Sequence, residues 1–321
     1  MAETKVATRP RPASRGRRRA IARRAGASTA RGSELWTAAL FIAPALALYI
    51  LLMLIPFLNS VYFSLTDWNG ATLAKNFVGL ANYAEMLQDP QLYEAFRNNL
   101  VWIVIGTVVP VSVGLLLAMI MWSTPRFALV FRTLFFLPYL LPIVVVGLVW
   151  NWIYHPLYGV LNSFLELIGF DYLTRGWLAD GDTALYAVLG AAIWSAFGFV
   201  TVLLFAGLQG VNTDVVDAAA IDGANWLQRA RYVVIPAIAP VLTLVTSITL
   251  IGGFAVIDFI IVMTNGGPGN RTSVLGFYAY NQAFQRNSVG YGTAVSILIT
   301  VLSLVAAVVF IKLREGGRER G

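Results

Sequence analysis

Residues 212–240 read NTDVVDAAAIDGANWLQRARYVVIPAIAP, and the layout of the whole chain follows from how this stretch is read. It lies between two long apolar runs, yet carries Asp214, Asp217, Asp222, Arg229 and Arg231. A polar segment of that length between two membrane spans must sit in water or against a partner protein, because hydrocarbon satisfies neither its charges nor its backbone. The residue pattern predicts two short helices joined by a bend. Asp214 can cap the first turn, with Asp217 three positions on in the capping-box place. Ala218, Ala219 and Ala220 combine strong helix propensity with almost no side-chain bulk. Gly223 permits the bend, Asn225 with Gln228 offers a second helix start, and Pro236 fits the first turn of the next membrane helix. A helix faced with small residues lets another surface approach its backbone closely, which suits docking. An ordinary amphipathic interfacial hairpin fits the same residues.

The 321-residue chain is 58% hydrophobic, with a mean hydropathy of +0.71, far above the apolar share of a soluble domain. It is a polytopic membrane protein, and a water-soluble enzyme is excluded. There is no cysteine and His155 is the only histidine, which removes disulfides, thiolate nucleophiles and clustered-histidine metal sites. No GxxxxGK[ST] occurs, so the chain does not cradle nucleotide phosphates by that route, and no nucleophile–base pair is evident. The net charge of +7 is a topological signal before it is a nucleic-acid signal. Residues 1–33 are rich in Arg, Ala, Ser, Thr and Pro and cannot bury a core, so a disordered basic tail is expected. Its arginines hold the N-terminus in the cytoplasm and contact anionic lipid; no nucleic-acid partner is expected.

Six apolar stretches follow, each near the ~20 residues needed to cross a bilayer: Leu35–Leu58, Leu100–Trp122, Ala128–Tyr154, Thr183–Leu208, Pro236–Met263 and Gly292–Lys312. With the N-terminus inside, eighteen of the Lys and Arg residues fall in cytoplasmic segments, and five, Lys75, Arg97, Arg175, Arg271 and Arg286, fall outside. The positive-inside rule therefore predicts an all-α fold of six transmembrane helices, both termini cytoplasmic, with the Asp217 loop in the cytoplasm.

DAAAIDGA (217–224), with Ile235–Pro236 further on, closely resembles the EAA loop of bacterial ATP-binding-cassette (ABC) importer permeases. That loop usually has Glu-Ala-Ala, three residues, then Gly; Asp217 stands where the family has Glu, keeping the charge on a shorter arm. FVGLANYAEML (77–87), FRTLFFLPYLLP (131–142), WNWIYHPLYGVLN (150–162) and TNGGPGNRTSVLGFYAYNQAF (264–284) resemble segments of the maltose-permease-like subunits of carbohydrate importers. The resemblance covers most of the chain beyond the tail. It implies a type I importer permease fold in the bacterial cell membrane. Residues 34–94 form the first helix and an extracytoplasmic loop. Residues 95–313 form the permease core with its coupling loop at 211–235, and 314–321 form a cytoplasmic tail. It also implies a non-catalytic subunit with several partners: a second permease, two ATP-binding subunits that hold ATP and Mg, an extracytoplasmic solute-binding protein, and a sugar or glycerol phosphate as cargo. Asp217, Ala218, Ala219, Asp222 and Gly223 are then the residues that meet the ATPase.

Carried over position by position, the resemblance places Tyr139, Ile143, Ser195, Ala196, Thr249, Gly253 and Val256 on the substrate path. Helix packing is the rival reading for each. The maltose permease has asparagines where this chain has Ala192, Gly253 and Val256, so fewer amides are available to sugar hydroxyls. Asp258 lies in the fifth apolar run, where a charge costs about 2.5–3.5 kcal/mol to insert near the bilayer centre. The expectation is a structural acceptor near the interface, satisfied by water or a neighbouring helix. A ligand hydrogen-bonder on the translocation path is a second reading, and a proton or cation relay, as in an ion-coupled secondary transporter, a third; the relay needs a second intramembrane group that the sequence does not show.

Overall fold

The computed structural model describes residues 39–124 and 126–316; the expected tail over 1–33 and the last part of the second tail, 317–321, lie outside the described residues. The chain divides into two compact units, Met1–Asn59 and Ser60–Gly321. In the first, helix α1 (Ala39–Phe63) takes up the described part and runs on past the boundary, with a π-turn at Ile50–Leu54.

In the second unit a loop closed by the Thr66–Phe77 bridge leads to α2 (Ala81–Met86) and α3 (Pro90–Ser123). Helix α3 begins ahead of the expected Leu100 because Asp89 is a strong start signal. Its carboxylate accepts from the backbone N–H of Gln91 and Leu92 at 2.9 and 3.2 Å, and Pro90 sits where no N–H is needed. At 34 residues, α3 is about 51 Å long and outreaches the ~30 Å of hydrocarbon.

Two of the expected spans are bent. Helix α4 (Ala128–Phe136) continues as a 3₁₀ turn over Leu137–Leu140 and meets α5 (Ile143–Ile153) at 95°. The cause is Pro142, whose ring excludes helical backbone at the residue before it; Leu141 is extended, with φ −74° and ψ 139°. Next come α6 (Val160–Leu167), α7 (Ala184–Leu208), α8 (Thr213–Ile221) and α9 (Trp226–Arg229), the last running on through a π-turn to Ala237. Helix α10 (Ala239–Phe254) then leaves at 76°. Pro240 lies in its first turn and lacks the N–H that would bond back to the Pro236 carbonyl. The expectation that Pro236 opens the membrane helix is thus corrected: Pro236 precedes the bend, and Pro240 follows it. The expected span Pro236–Met263 is also broken after Phe254, and α11 (Asp258–Met263) is a separate helix. Helices α12 (Leu275–Tyr280) and α13 (Val289–Gly316) complete the chain. Among the described residues four helices are long and apolar enough to span, and counting each bent pair as one span gives six.

Helix α7 is the centre of the second unit, packing along α3 and against α4 and α10. Lipid gives little hydrophobic drive for helix association, so close backbone approach matters. Gly198 supplies it: a Cβ there would stand 1.7 Å from the Phe135 carbonyl oxygen. One apolar cluster centres on Val146, Val188, Leu189 and Ile260, and another on Val200, Leu204, Val234 and Ile238. Irregular backbone must find internal partners, and asparagines provide them. Asn98 Nδ2 donates to the Arg271 and Ser273 carbonyls at 3.0 and 2.9 Å. Asn99 donates to Gly253 O and accepts from Leu275 N, both at 3.2 Å. Asn162 donates to Arg175 O at 3.0 Å and accepts from Trp177 Nε1 at 2.8 Å.

Candidate functional site

A cavity of about 550 Å³ opens among α3, α5, α7, α10 and α11, within the ~300–1,000 Å³ range of small-molecule sites. All of the residues expected on a substrate path line it. Tyr139 comes from the 3₁₀ turn and Ile143 from the start of α5. Ser195 and Ala196 come from the middle of α7, Thr249 and Gly253 from α10, and Val256 from the break after it. The proline bend at Leu141 and the break at Ala255 bring these short segments to one wall. Trp102, Gly252 and Phe259 also line the cavity and were not expected. No local pattern marks Trp102, which α3 presents only because of how that helix packs.

The Tyr139 ring is stacked on Phe199, with centroids 4.7 Å apart and planes 14° from parallel, so one of its faces is occupied. Ser195 Oγ donates to Ala192 O at 2.8 Å, and Thr249 Oγ1 donates to Thr246 O at 3.0 Å or Val245 O at 3.2 Å. Both hydroxyls therefore turn their protons back into their own helices. Gly253 is buried, and a Cβ there would lie 3.1 Å from Ile103 Cγ1, so it serves helix packing as well; neighbouring Gly252 has open space around it. Of the two kinds of partner expected for Asp258, water or a neighbouring helix, the second is not found among the described residues. Asp258 is exposed on the cavity wall.

The 211–235 loop folds as two short helices and a bend. Asn212, not Asp214, caps α8, accepting from Asp214 N at 2.9 Å, which leaves Asp214 and Asp217 without the capping-box geometry expected of them. Asn225 and Gln228 form a reciprocal capping box at 2.9 and 2.8 Å. Gly223 takes φ +86°, a left-handed conformation that L side chains rarely adopt. Val216 is buried with Ala230 and Val234, and this anchors the loop. Asp217, Ala218, Asp222 and Gly223 stay exposed and Ala219 half-buried, beside the bare side chains of Ile221 and Leu227.

A third polar group ties the start of α3 to α12 and α13. Tyr278 and Tyr291 both donate to Asp89 Oδ2, the second at 2.6 Å, and Gln282 donates to the Tyr278 oxygen. Burial alone pushes the Asp89 carboxyl up. The two phenols and the backbone N–H groups of Leu92 and Gln91 outweigh it and hold the carboxyl below its usual range. Burial, then the bond to Asp89 and its charge, pushes Tyr278 up to about 12.

The family model described as binding-protein-dependent transport system inner membrane component matches residues 110–313. The diacetylchitobiose uptake system permease protein of Streptomyces coelicolor is 33% identical, over 88% of this chain and 83% of that protein. A probable starch degradation products transport system permease protein of Thermoanaerobacterium thermosulfurigenes is also 33% identical, over 86% of this chain and 93% of that protein. Among solved structures, a chain of a bacterial ABC transporter involved in the import of the acidic polysaccharide alginate shares the fold. Its TM-score is 0.75 at 20% identity, with 88% of this chain and 96% of that chain covered.

Proposed function

The chain belongs to the family of binding-protein-dependent transport system inner membrane components, and from that premise we propose that it forms half of a path for a sugar or oligosaccharide, driven by ATP hydrolysed on separate subunits. As a member of that family it is a multi-pass, non-catalytic membrane subunit of a transport system. In this reading a solute-binding protein delivers the cargo and a second permease supplies the facing wall. Two ATP-binding subunits hold ATP and Mg. The cargo class draws on the diacetylchitobiose and starch-product relatives.

The observation that carries the reading is the cavity in which Tyr139, Ser195 and Thr249 meet from three separate segments. The loop 211–235 is joined to two of its walls, directly to α7 and across the 76° bend to α10. Helix α7 runs from Ser195 to Leu208, about 20 Å, before the loop, and α10 runs from Ala239 to Thr249, about 15 Å, after it. A loop docked through Asp217, Ala218, Ala219, Asp222 and Gly223 on an ATPase would move both walls through rigid helices. The test is reconstitution in proteoliposomes with the ATPase, second permease and binding protein. ATP-dependent uptake of maltotriose or diacetylchitobiose is expected, with none from this chain alone. Uptake by this chain alone under a proton or sodium gradient would overturn the proposal in favour of a secondary transporter.

A further inference from the structure

We infer that Asp258 contacts the cargo, and that this wall of the cavity selects neutral or amino-bearing carbohydrates against anionic ones. The inference rests on the carbohydrate-path reading and narrows it.

Among the described residues, the wall carries one full charge, and it is negative. Asp258 is exposed to the cavity as an acceptor-only carboxylate and, among the described residues, has no protein partner. Ser195 and Thr249 donate their protons to carbonyls of their own helices, so towards the cavity they offer lone pairs. No Lys, Arg or His is among the described residues that line the space. Besides the Tyr139 hydroxyl, which also lines the cavity, the donors that meet these lone pairs come from the cargo. A polyol supplies hydroxyl donors, and an amino sugar adds an ammonium group that pairs with the carboxylate. A phosphate or carboxylate is itself acceptor-only and meets a like charge with no cation on this wall, an arrangement that rejects it by desolvation and repulsion. Trp102 and Phe259 add apolar wall, though both rings are buried and shape the cavity rather than offering a face to a sugar. Among the described residues that line the space, Asp258 is the one charged acceptor.

The experiment uses the complete complex in proteoliposomes with ATP and its binding protein. The probes are maltotriose, diacetylchitobiose, chitobiose as free amine, digalacturonate and glycerol 3-phosphate. The wild type should take up neutral or amine probes and neither anion. Asp258→Asn and Asp258→Ala should lower the maximal uptake rate of the preferred probe at least tenfold, while the half-saturating concentration of loaded binding protein stays unchanged. Asp258→Glu should restore most of the rate, which separates loss of the carboxylate from misfolding. Wild-type uptake of either anion, or wild-type kinetics in Asp258→Ala, overturns the inference while leaving the importer reading in place. Absence of ATP-dependent uptake of every probe removes the importer reading itself, and the inference with it.

Discussion

Replacing Gly223 with valine isolates the bend of the 211–235 loop from everything around it. A Cβ built on Gly223 finds nothing within 4 Å, so the added side chain meets no atom of this chain. The cost lies in the backbone. At φ +86°, an L residue is strained by about 1–2 kcal/mol, and a β-branched one falls at the upper end. About 2 kcal/mol lowers the weight of the bent loop roughly thirtyfold. Asparagine adds comparable volume at the same place but tolerates left-handed backbone, so Gly223→Asn should keep the bend. Both variants would be purified with the ATPase, second permease and binding protein, and stimulation of ATP hydrolysis by loaded binding protein measured. The expected result is at least a tenfold loss in Gly223→Val and a small one in Gly223→Asn. Equal, severe loss in both would shift the cause from the bend to crowding of the proposed docking surface. Wild-type stimulation and uptake in Gly223→Val would refute the role of the bend altogether.

Ala219, half-buried on α8, should tolerate no bulk: Ala219→Leu is expected to reduce ATPase stimulation while the isolated chain still inserts, and normal stimulation would count against docking there. Thr249→Val, Ser195→Ala and Tyr139→Leu should each slow uptake with assembly intact, and unchanged kinetics in all three would remove the substrate-path assignment. Gly198→Ala places a Cβ 1.7 Å from the Phe135 carbonyl, so α4 and α7 must separate; a large fall in thermal midpoint is expected, and a wild-type midpoint would contradict the packing. Asp89 has a depressed folded-state pKa, so its contribution is fully present above the unfolded value of about 3.9 and is lost as pH falls through the folded value. The difference in thermal midpoint between wild type and Asp89→Asn should therefore be constant from pH 7 to about 5 and shrink below about 4. A difference that grows on acidification would refute the sign.

Several features were open to reading in the sequence because they depend only on neighbours along the chain. Apolar runs near twenty residues give spans whatever they pack against, since a bilayer demands internal hydrogen bonding of any segment that crosses it. The Asn225–Gln228 box and the bend at Gly223 are set within three or four residues, and both formed as expected. The two bends also had their causes in the sequence, at Pro142 and Pro240, but long apolar runs on either side made straight spans the simpler reading. The start of α3 was hidden for the opposite reason. Hydropathy begins near Leu100, while the helix is fixed by the Asp89 cap on a polar turn outside the apolar run.

Tertiary structure alone decided what depends on residues far apart in the chain. The residues expected on a substrate path could be named by resemblance, but that residues 102 through 259 close around one cavity follows from the packing of α3, α7 and α10 and from the 95° turn between α4 and α5. The same holds for Asp258. In sequence it is a costly charge in an apolar run, which calls for water or a neighbouring helix to satisfy it. The break after Phe254 starts a new helix at Asp258 and turns the carboxylate to open space. Gly253 and Gly252 are adjacent and alike in sequence, yet one lies against Ile103 and the other faces empty volume. Periodicity and propensity report what a segment prefers; which side of a helix meets a cavity is fixed only when the other helices are in place.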